Sequence, residues 1–434
     1  MEELGNHPKG KTALPPLFLA IEDGKEDQAE KLISEGVDIN ENLKKIGTPL
    51  HVATRNGNEE MTKLLLVRNA DANAREDVFE QTPLHIAVSK GYTKIAKILI
   101  NYKADMNATC KSDPSPLHQA CFLGNHDIVK IFLENGADCN SKSNKYLLPP
   151  LQVATLRNHI KIVNLLIKNG ANIDEDNFYG FSSLFTAAEM GHEKIVELLI
   201  RSGANVNKKC WNDFQPIHIA SYLGYPNIVK MLIRNGADCN AKATMNLTPL
   251  HMAVLNGKEL PNYEFLLYLK NWERLIKRAT SKCLEDVVMI LLDNGANIRN
   301  RDYNGYTAIH LAAVCGETLS VKKLVDCGMN VNVPADIGRE TALHLAVSYG
   351  ELKTVIALIK LGADINAQCK NTSTEFETPL HLASRFGNRE IVSILIMSGS
   401  NSNLKNSNSH IPTEIALFLS DALTFKSIIS NLMK

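Results

Sequence analysis

The chain lacks most features that announce a chemistry directly. Neither charge dominates: Lys plus Arg is 47 and Asp plus Glu is 47. A nucleic-acid binder needs a basic surface to displace counterions from phosphates, and a polybasic membrane anchor needs the same excess, so the balance argues against both. No run of about 18 apolar residues exists, so nothing is expected to span a membrane. The N-terminus, Met1 to Lys11, is polar and has no signal core. Aromatics are only 6% of the chain, but hydrophobic residues reach 44%, too many for disorder. The nine cysteines are odd in number, irregular in spacing and without a Cys-x-x-Cys pair. A disulfide framework or a zinc site is not expected, and reduced thiols suit a cytoplasmic or nuclear compartment.

What the chain does have is self-similarity. Thr48-Pro49-Leu50-His51-x-Ala53 returns at Thr82, Ser115, Thr248 and Thr378. Looser copies start at Pro16, Pro150, Ser183, Pro216, Ala308, Ala342 and Pro412. From Pro16 to Pro249 the steps are 33, 34, 33, 34, 33, 33 and 33 residues. A glycine follows most of the proline positions by eight residues, as at Gly24, Gly57, Gly91 and Gly124. A second follows by twenty, as at Gly36, Gly136, Gly170 and Gly203, and an Asn comes four residues later, as at Asn40, Asn140 and Asn207.

Each landmark has a physical reason. Thr or Ser caps a helix, and Pro fits the first helical position, where no N–H is needed. Leu and Ala three residues apart form one apolar stripe. The glycines end the helices in the left-handed conformation. A polar turn of about eight residues then leads to the next cap.

The pattern resembles the ankyrin repeat. That resemblance implies an all-α dominated repeat solenoid of stacked helix-turn-helix units with β-hairpin fingers. It covers roughly residues 14–434. One unit cannot bury its own apolar faces, so stacking is obligatory and the end units act as caps. The expected organisation is a tail at 1–13, repeats over 14–257, an irregular finger-less junction at 258–283, further repeats over 284–411, and a capping repeat at 412–434. The junction rests on one reading: Leu275 takes the Pro position of a degenerate unit and Cys283 the first Gly position, giving thirteen units. A joint weakened by the missing finger is the consequence. Starting at Met1 and closing on caps, the sequence reads as a whole chain rather than a fragment of a larger channel or toxin.

Candidate chemistry is sparse. Gly5-Asn6-His7-Pro8-Lys9-Gly10-Lys11-Thr12 matches a phosphate-binding loop, but the strand and helix that must flank it have no room. It is read as a solvated tail, not a nucleotide-binding enzyme. Eight histidines (His51, His85, His118, His218, His251, His310, His344 and His381) share one repeat position. Catalysis needs one distinguished His beside a nucleophile. In the family this His bonds locally and ties neighbouring fingers. Sequons at Asn107, Asn246 and Asn371 read as chance, and Pro412-x-Glu414-Ile415 reads as a cap rather than an F-box remnant. No catalytic, cofactor or metal residue is expected.

The informative positions are the sixth and seventh after each Pro, which the resemblance places near the concave side. There Phe122, Leu123, Leu156, Met190, Tyr222, Leu223 and Leu255 turn apolar after the charged units Glu22/Asp23, Arg55/Asn56 and Ser89/Lys90. The two readings are packing against neighbouring fingers and an exposed groove for a partner. Trp211, on a finger beside Lys208 and Lys209, joins the candidate contact set. The expected function is a non-enzymatic, monomeric scaffold or adaptor that binds a protein or peptide and no small-molecule substrate. The alternative is an effector or toxin of a pathogen or virus that uses the same physics on a host protein.

Overall fold

The computed structural model describes residues 14–111, 115–142, 147–255, 281–370 and 376–418. These form 23 α-helices. They divide between two compact units, Met1–Thr186 with Arg201–Gly203, and Ala187–Ile200 with Ala204–Lys434.

In the first unit the helices come in pairs: α1 (Pro16–Glu22) with α2 (Glu26–Ser34), α3 (Pro49–Arg55) with α4 (Glu59–Val67), α5 (Pro83–Lys90) with α6 (Thr93–Asn101), α7 (Pro116–Leu123) with α8 (His126–Glu134), and α9 (Pro150–Leu156) with α10 (Ile160–Lys168). The boundary between the units falls within α11 (Ser183–Met190) and α12 (Glu193–Arg201). The second unit continues with α13 (Pro216–Tyr222), α14 (Pro226–Arg234), α15 (Pro249–Leu255), α16 (Ser281–Asp293), α17 (Ala308–Val314), α18 (Thr318–Asp326), α19 (Ala342–Ser348), α20 (Leu352–Lys360), α21 (Pro379–Arg385), α22 (Arg389–Met397) and α23 (Pro412–Phe418).

The repeat landmarks do what their chemistry requires. The first glycines Gly24, Gly57, Gly91 and Gly124 and the second glycines Gly36, Gly136 and Gly170 all have positive φ. Where a unit has no glycine, another residue is forced into the same region: Asn69 at φ 66°, Asn158 at 62° and Lys103 at 63°. Asn tolerates that conformation; Lys, with no local hydrogen bond to gain, does not. Lys103 is exposed, so nothing is lost by trimming it. Lys103→Gly should therefore raise stability by about 0.5–1 kcal/mol, net of the greater unfolded-state freedom of Gly. A urea titration that shows an unchanged or lower midpoint defeats this account.

The shared histidine is a structural tie. The Thr48, Thr82, Thr307, Thr341 and Thr378 amides donate to Nδ1 of His51, His85, His310, His344 and His381 at 3.1–3.2 Å. A backbone N–H can only donate, so Nδ1 is an acceptor and the ring is neutral with its proton on Nε2. That Nε2–H donates to the following finger: to Gln81 O from His51, Ala241 O from His218 and Ala367 O from His344, each at 3.0 Å. The asparagines make a second ladder. Asn140 Oδ1 accepts from the Asn172 amide at 2.7 Å and its Nδ2 donates to Gly170 O at 3.3 Å.

The fingers are mostly turns. Among the described residues only Cys369–Lys370 and Phe376–Glu377 pair as strands, with isolated bridges at Leu43–Gly47 and Asp176–Ser182.

The junction departs from the sequence reading. If a degenerate unit lay at Leu275, its first helix would separate α15 from α17. Instead α15 packs directly on both α13 and α17, and α16 packs on α15, α14 and α18. Thus α16 is the second helix of the α15 unit, and 256–280 is inserted inside one helix pair. The ladder agrees: Asn240 Nδ2 donates to Gly295 O at 3.0 Å, and its Oδ1 accepts from the Asn297 amide at 2.7 Å. The Tyr303 amide donates to Met245 O at 2.8 Å, so the fingers on either side of the insertion are joined. The count of thirteen units and the missing finger are therefore corrected. Cys283 lies within the thirteen-residue helix α16, not at a left-handed turn. The expected weak joint falls largely on 256–280, outside the described residues. The tail 1–13 with its Gly5–Thr12 loop and the helix expected at Ala422–Leu432 also lie outside them.

Candidate protein-interaction face

The sixth and seventh positions end the first helix of each unit, next to the finger. In the first unit these ends are open. Arg55, Lys90, Phe122, Leu123 and Arg157 are exposed, and Leu156 is half-buried. Phe122 and Leu123 each keep 44% of their surface in water. Large apolar side chains at that exposure, adjacent in sequence and on one helix end, form a small patch with no core role.

The patch is held in place. The Arg157 guanidinium lies 4.4 Å from the centroid of the Phe122 ring, a cation–π contact. His159 Nε2 lies 3.2 Å from Phe122 O and donates to it. The His159 ring rests against Gly124, where a Cβ would come within 2.6 Å of it. Gly124 also has a φ of 83°, so two separate constraints require glycine directly after the patch.

In the second unit the same positions behave differently. Tyr222 and Leu223 are 1% exposed and Leu255 is 0% exposed. These three candidates are core, and the reading of them as exposed contacts is corrected. The Cys315 thiol, at the seventh position of the α17 unit, donates to Leu255 O at 3.7 Å. Met190 is half-buried, and Trp211 is 53% exposed on its finger.

Glu189, at the sixth position of its unit, is also buried, and burial pushes its carboxyl up to about 8. Its proximity, after burial itself, helps push the Cys210 thiol up to about 12. Raising the thiol in this way suppresses the thiolate near neutral pH.

Two exposed aromatics escaped the sequence reading. Tyr349 and Phe386 sit at the seventh position after Ala342 and Pro379 and are 48% and 57% exposed. The register rule that found Phe122 and Leu123 reaches them when carried past Leu255.

Among the described residues no group of His, Cys, Asp and Glu could hold a metal ion, and no helix is long and apolar enough to cross a membrane.

A family model described as ankyrin repeats in three copies matches residues 17–110, 50–143, 117–210, 151–243, 184–278, 275–369 and 335–406. Two of these windows overlap at 275–278, outside the described residues. No curated protein matches the sequence. Among solved structures, the ankyrin repeat domain of human ASB11 is similar at 23% identity and a TM-score of 0.47, over 58% of this chain and 98% of that one. With the family model spanning most of the sequence and the helix pairs, caps and finger ladders in place, the chain belongs to the ankyrin-repeat family.

Proposed function

We propose that the chain is a non-enzymatic binding module that engages a protein partner through the exposed helix ends of its first unit. Ankyrin repeats are protein-interaction modules, and the observation that supports this location is the paired exposure of Phe122 and Leu123. A rigid aromatic anchor on a fixed scaffold loses little entropy on binding. The eight histidines of the repeat position are buried at helix caps, which supports a structural use for them. A cytosolic or nuclear setting suits the reduced cysteines.

Phe122→Ser and Leu123→Ser should each weaken partner binding by about 1–3 kcal/mol, the range for truncated anchors. Stability should move by less than about 0.5 kcal/mol, as for other surface changes. The test is paired: quantitative capture of partners by wild type and variants, and thermal unfolding of the same preparations. Equal capture by wild type and both variants removes this face from the account.

A further inference from the structure

The chemistry around Phe122 and Leu123 constrains what can sit on them, given that the first unit engages a protein. The sixth and seventh positions of its second to fifth units hold three cations, Arg55, Lys90 and Arg157, and no acid. Lys90 precedes the apolar pair by one repeat, and Arg157 follows it by one. No carboxylate pairs with either among the described residues, although surface lysines nearby do find partners, as Lys94 does in Glu59 at 3.3 Å. Arg157 holds its guanidinium over the Phe122 ring, 4.4 Å from the centroid, which fixes a five-donor cation directly beside the apolar pair. Arg55 is steadied by donating from Nη2 to Ile46 O at 3.1 Å.

Acids in the neighbouring fingers are largely occupied. Glu76 accepts from the Val78 and Phe79 amides at 2.8 and 2.7 Å. Glu80 lies 3.5 Å from Arg75 and 3.2 Å from Lys111, and Glu175 pairs with Lys142. The fingers thus settle their charges internally, while the helix ends present cations to either side of an apolar centre.

We propose that the face carrying Lys90, Phe122, Leu123 and Arg157 binds an extended acidic segment of a partner protein, with an apolar side chain on Phe122–Leu123 and carboxylates meeting Lys90 and Arg157. This deepens the interaction reading above and rests on it. Adjacent helices pack about 8–10 Å apart, and an extended chain rises about 3.3 Å per residue. One repeat therefore matches about three residues of such a segment. The pattern is an acid, an apolar residue three positions on, and a second acid three beyond. Arg55, one repeat past Lys90, takes a further acid when present.

The test uses the full chain and a phage-displayed library of random twelve-residue peptides. Selection on wild type should enrich the acid–apolar–acid pattern. Selected peptides should bind at least tenfold more weakly to Lys90→Glu and to Arg157→Glu, and more weakly as salt rises. Lys90→Gln and Arg157→Gln should fall between wild type and the charge reversals, which separates charge from damage to the fold. Peptides without acid enrichment, or indifferent to both reversals, overturn the inference. If those peptides still lose binding to Phe122→Ser and Leu123→Ser, the interaction face stands and only its assigned chemistry fails. Peptides indifferent to all of these changes, or no enrichment at all, overturn both readings.

Discussion

Acidification from pH 7 to 5 should cost the second unit about 5 kcal/mol, well before ordinary carboxylates protonate. Burial lowers His218, His251, His310 and His344 to about 4 each, from an ordinary 6.5. A group whose folded value is depressed binds more protons unfolded, so its stability is intact above 6.5 and is lost as pH falls toward 4. Over the step from 7 to 5 each histidine loses about 2 kcal/mol. Glu189 acts in the opposite sense. Its folded value, about 8 against 4.5, makes the neutral form native, so it gains about 2–3 kcal/mol over the same step. Four losses outweigh one gain. The molecular cause is the cap: a protonated ring has no lone pair at Nδ1 for the amide that donates to it. Urea unfolding followed across this pH range should show the slope, and His310→Gln should flatten it by about one histidine's share of 2 kcal/mol. A stability that is level between pH 7 and 5 contradicts the neutral-ladder account.

Tyr222→Ser should destabilise the chain by about 3–5 kcal/mol, the range for truncating a large buried aromatic. Tyr222 is among the largest fully buried side chains, and α13, which it ends, packs on both α14 and α15. Phe122→Ser removes a ring from the equivalent sixth position and should scarcely change stability, because Phe122 is 44% exposed. The pair is a test of burial at constant repeat position. Similar melting shifts for the two variants mean that the assigned difference in burial is wrong.

The same pair shows where sequence reading stops. Caps, glycine positions and the equivalence of the eight histidines were legible because each depends on local chemistry within a few residues. The register also located the helix ends correctly. It could not say which ends are covered, since Phe122 and Tyr222 look alike until the neighbouring helix is known. The insertion was misread for a related reason. The 59 residues from Pro249 to Ala308 are equally a short unit plus a normal one, or one unit with 26 extra residues. Leu275 happens to stand 33 before Ala308, which favoured the first count. Only the partner of α15 separates the two, and that is a tertiary fact. The charge pattern around Phe122 is present in the sequence as Lys90 and Arg157, but the cation–π contact that fixes Arg157 is made between repeats and depends on the fold.

The bypass at Asn240 makes the array indifferent to length at one point. Both ends of 256–280 are set by packing of α15 on α16, and the finger ladder passes from Asn240 to Gly295 and Asn297 without using the chain between. Where two ends are held by packing, doubling the length of chain between them costs only about 0.6 kcal/mol in closure entropy. A finger also takes a few extra residues: Pro379 follows Ala342 by 37 residues, and the tie from His344 to Glu377 O and the ladder bond from the Asn401 amide to Asn366 Oδ1 both remain. At 256–280, between the two helices of one pair, the chain can acquire or shed sequence while the repeats on both sides keep their register, which makes this the natural port for grafting a second module onto the array.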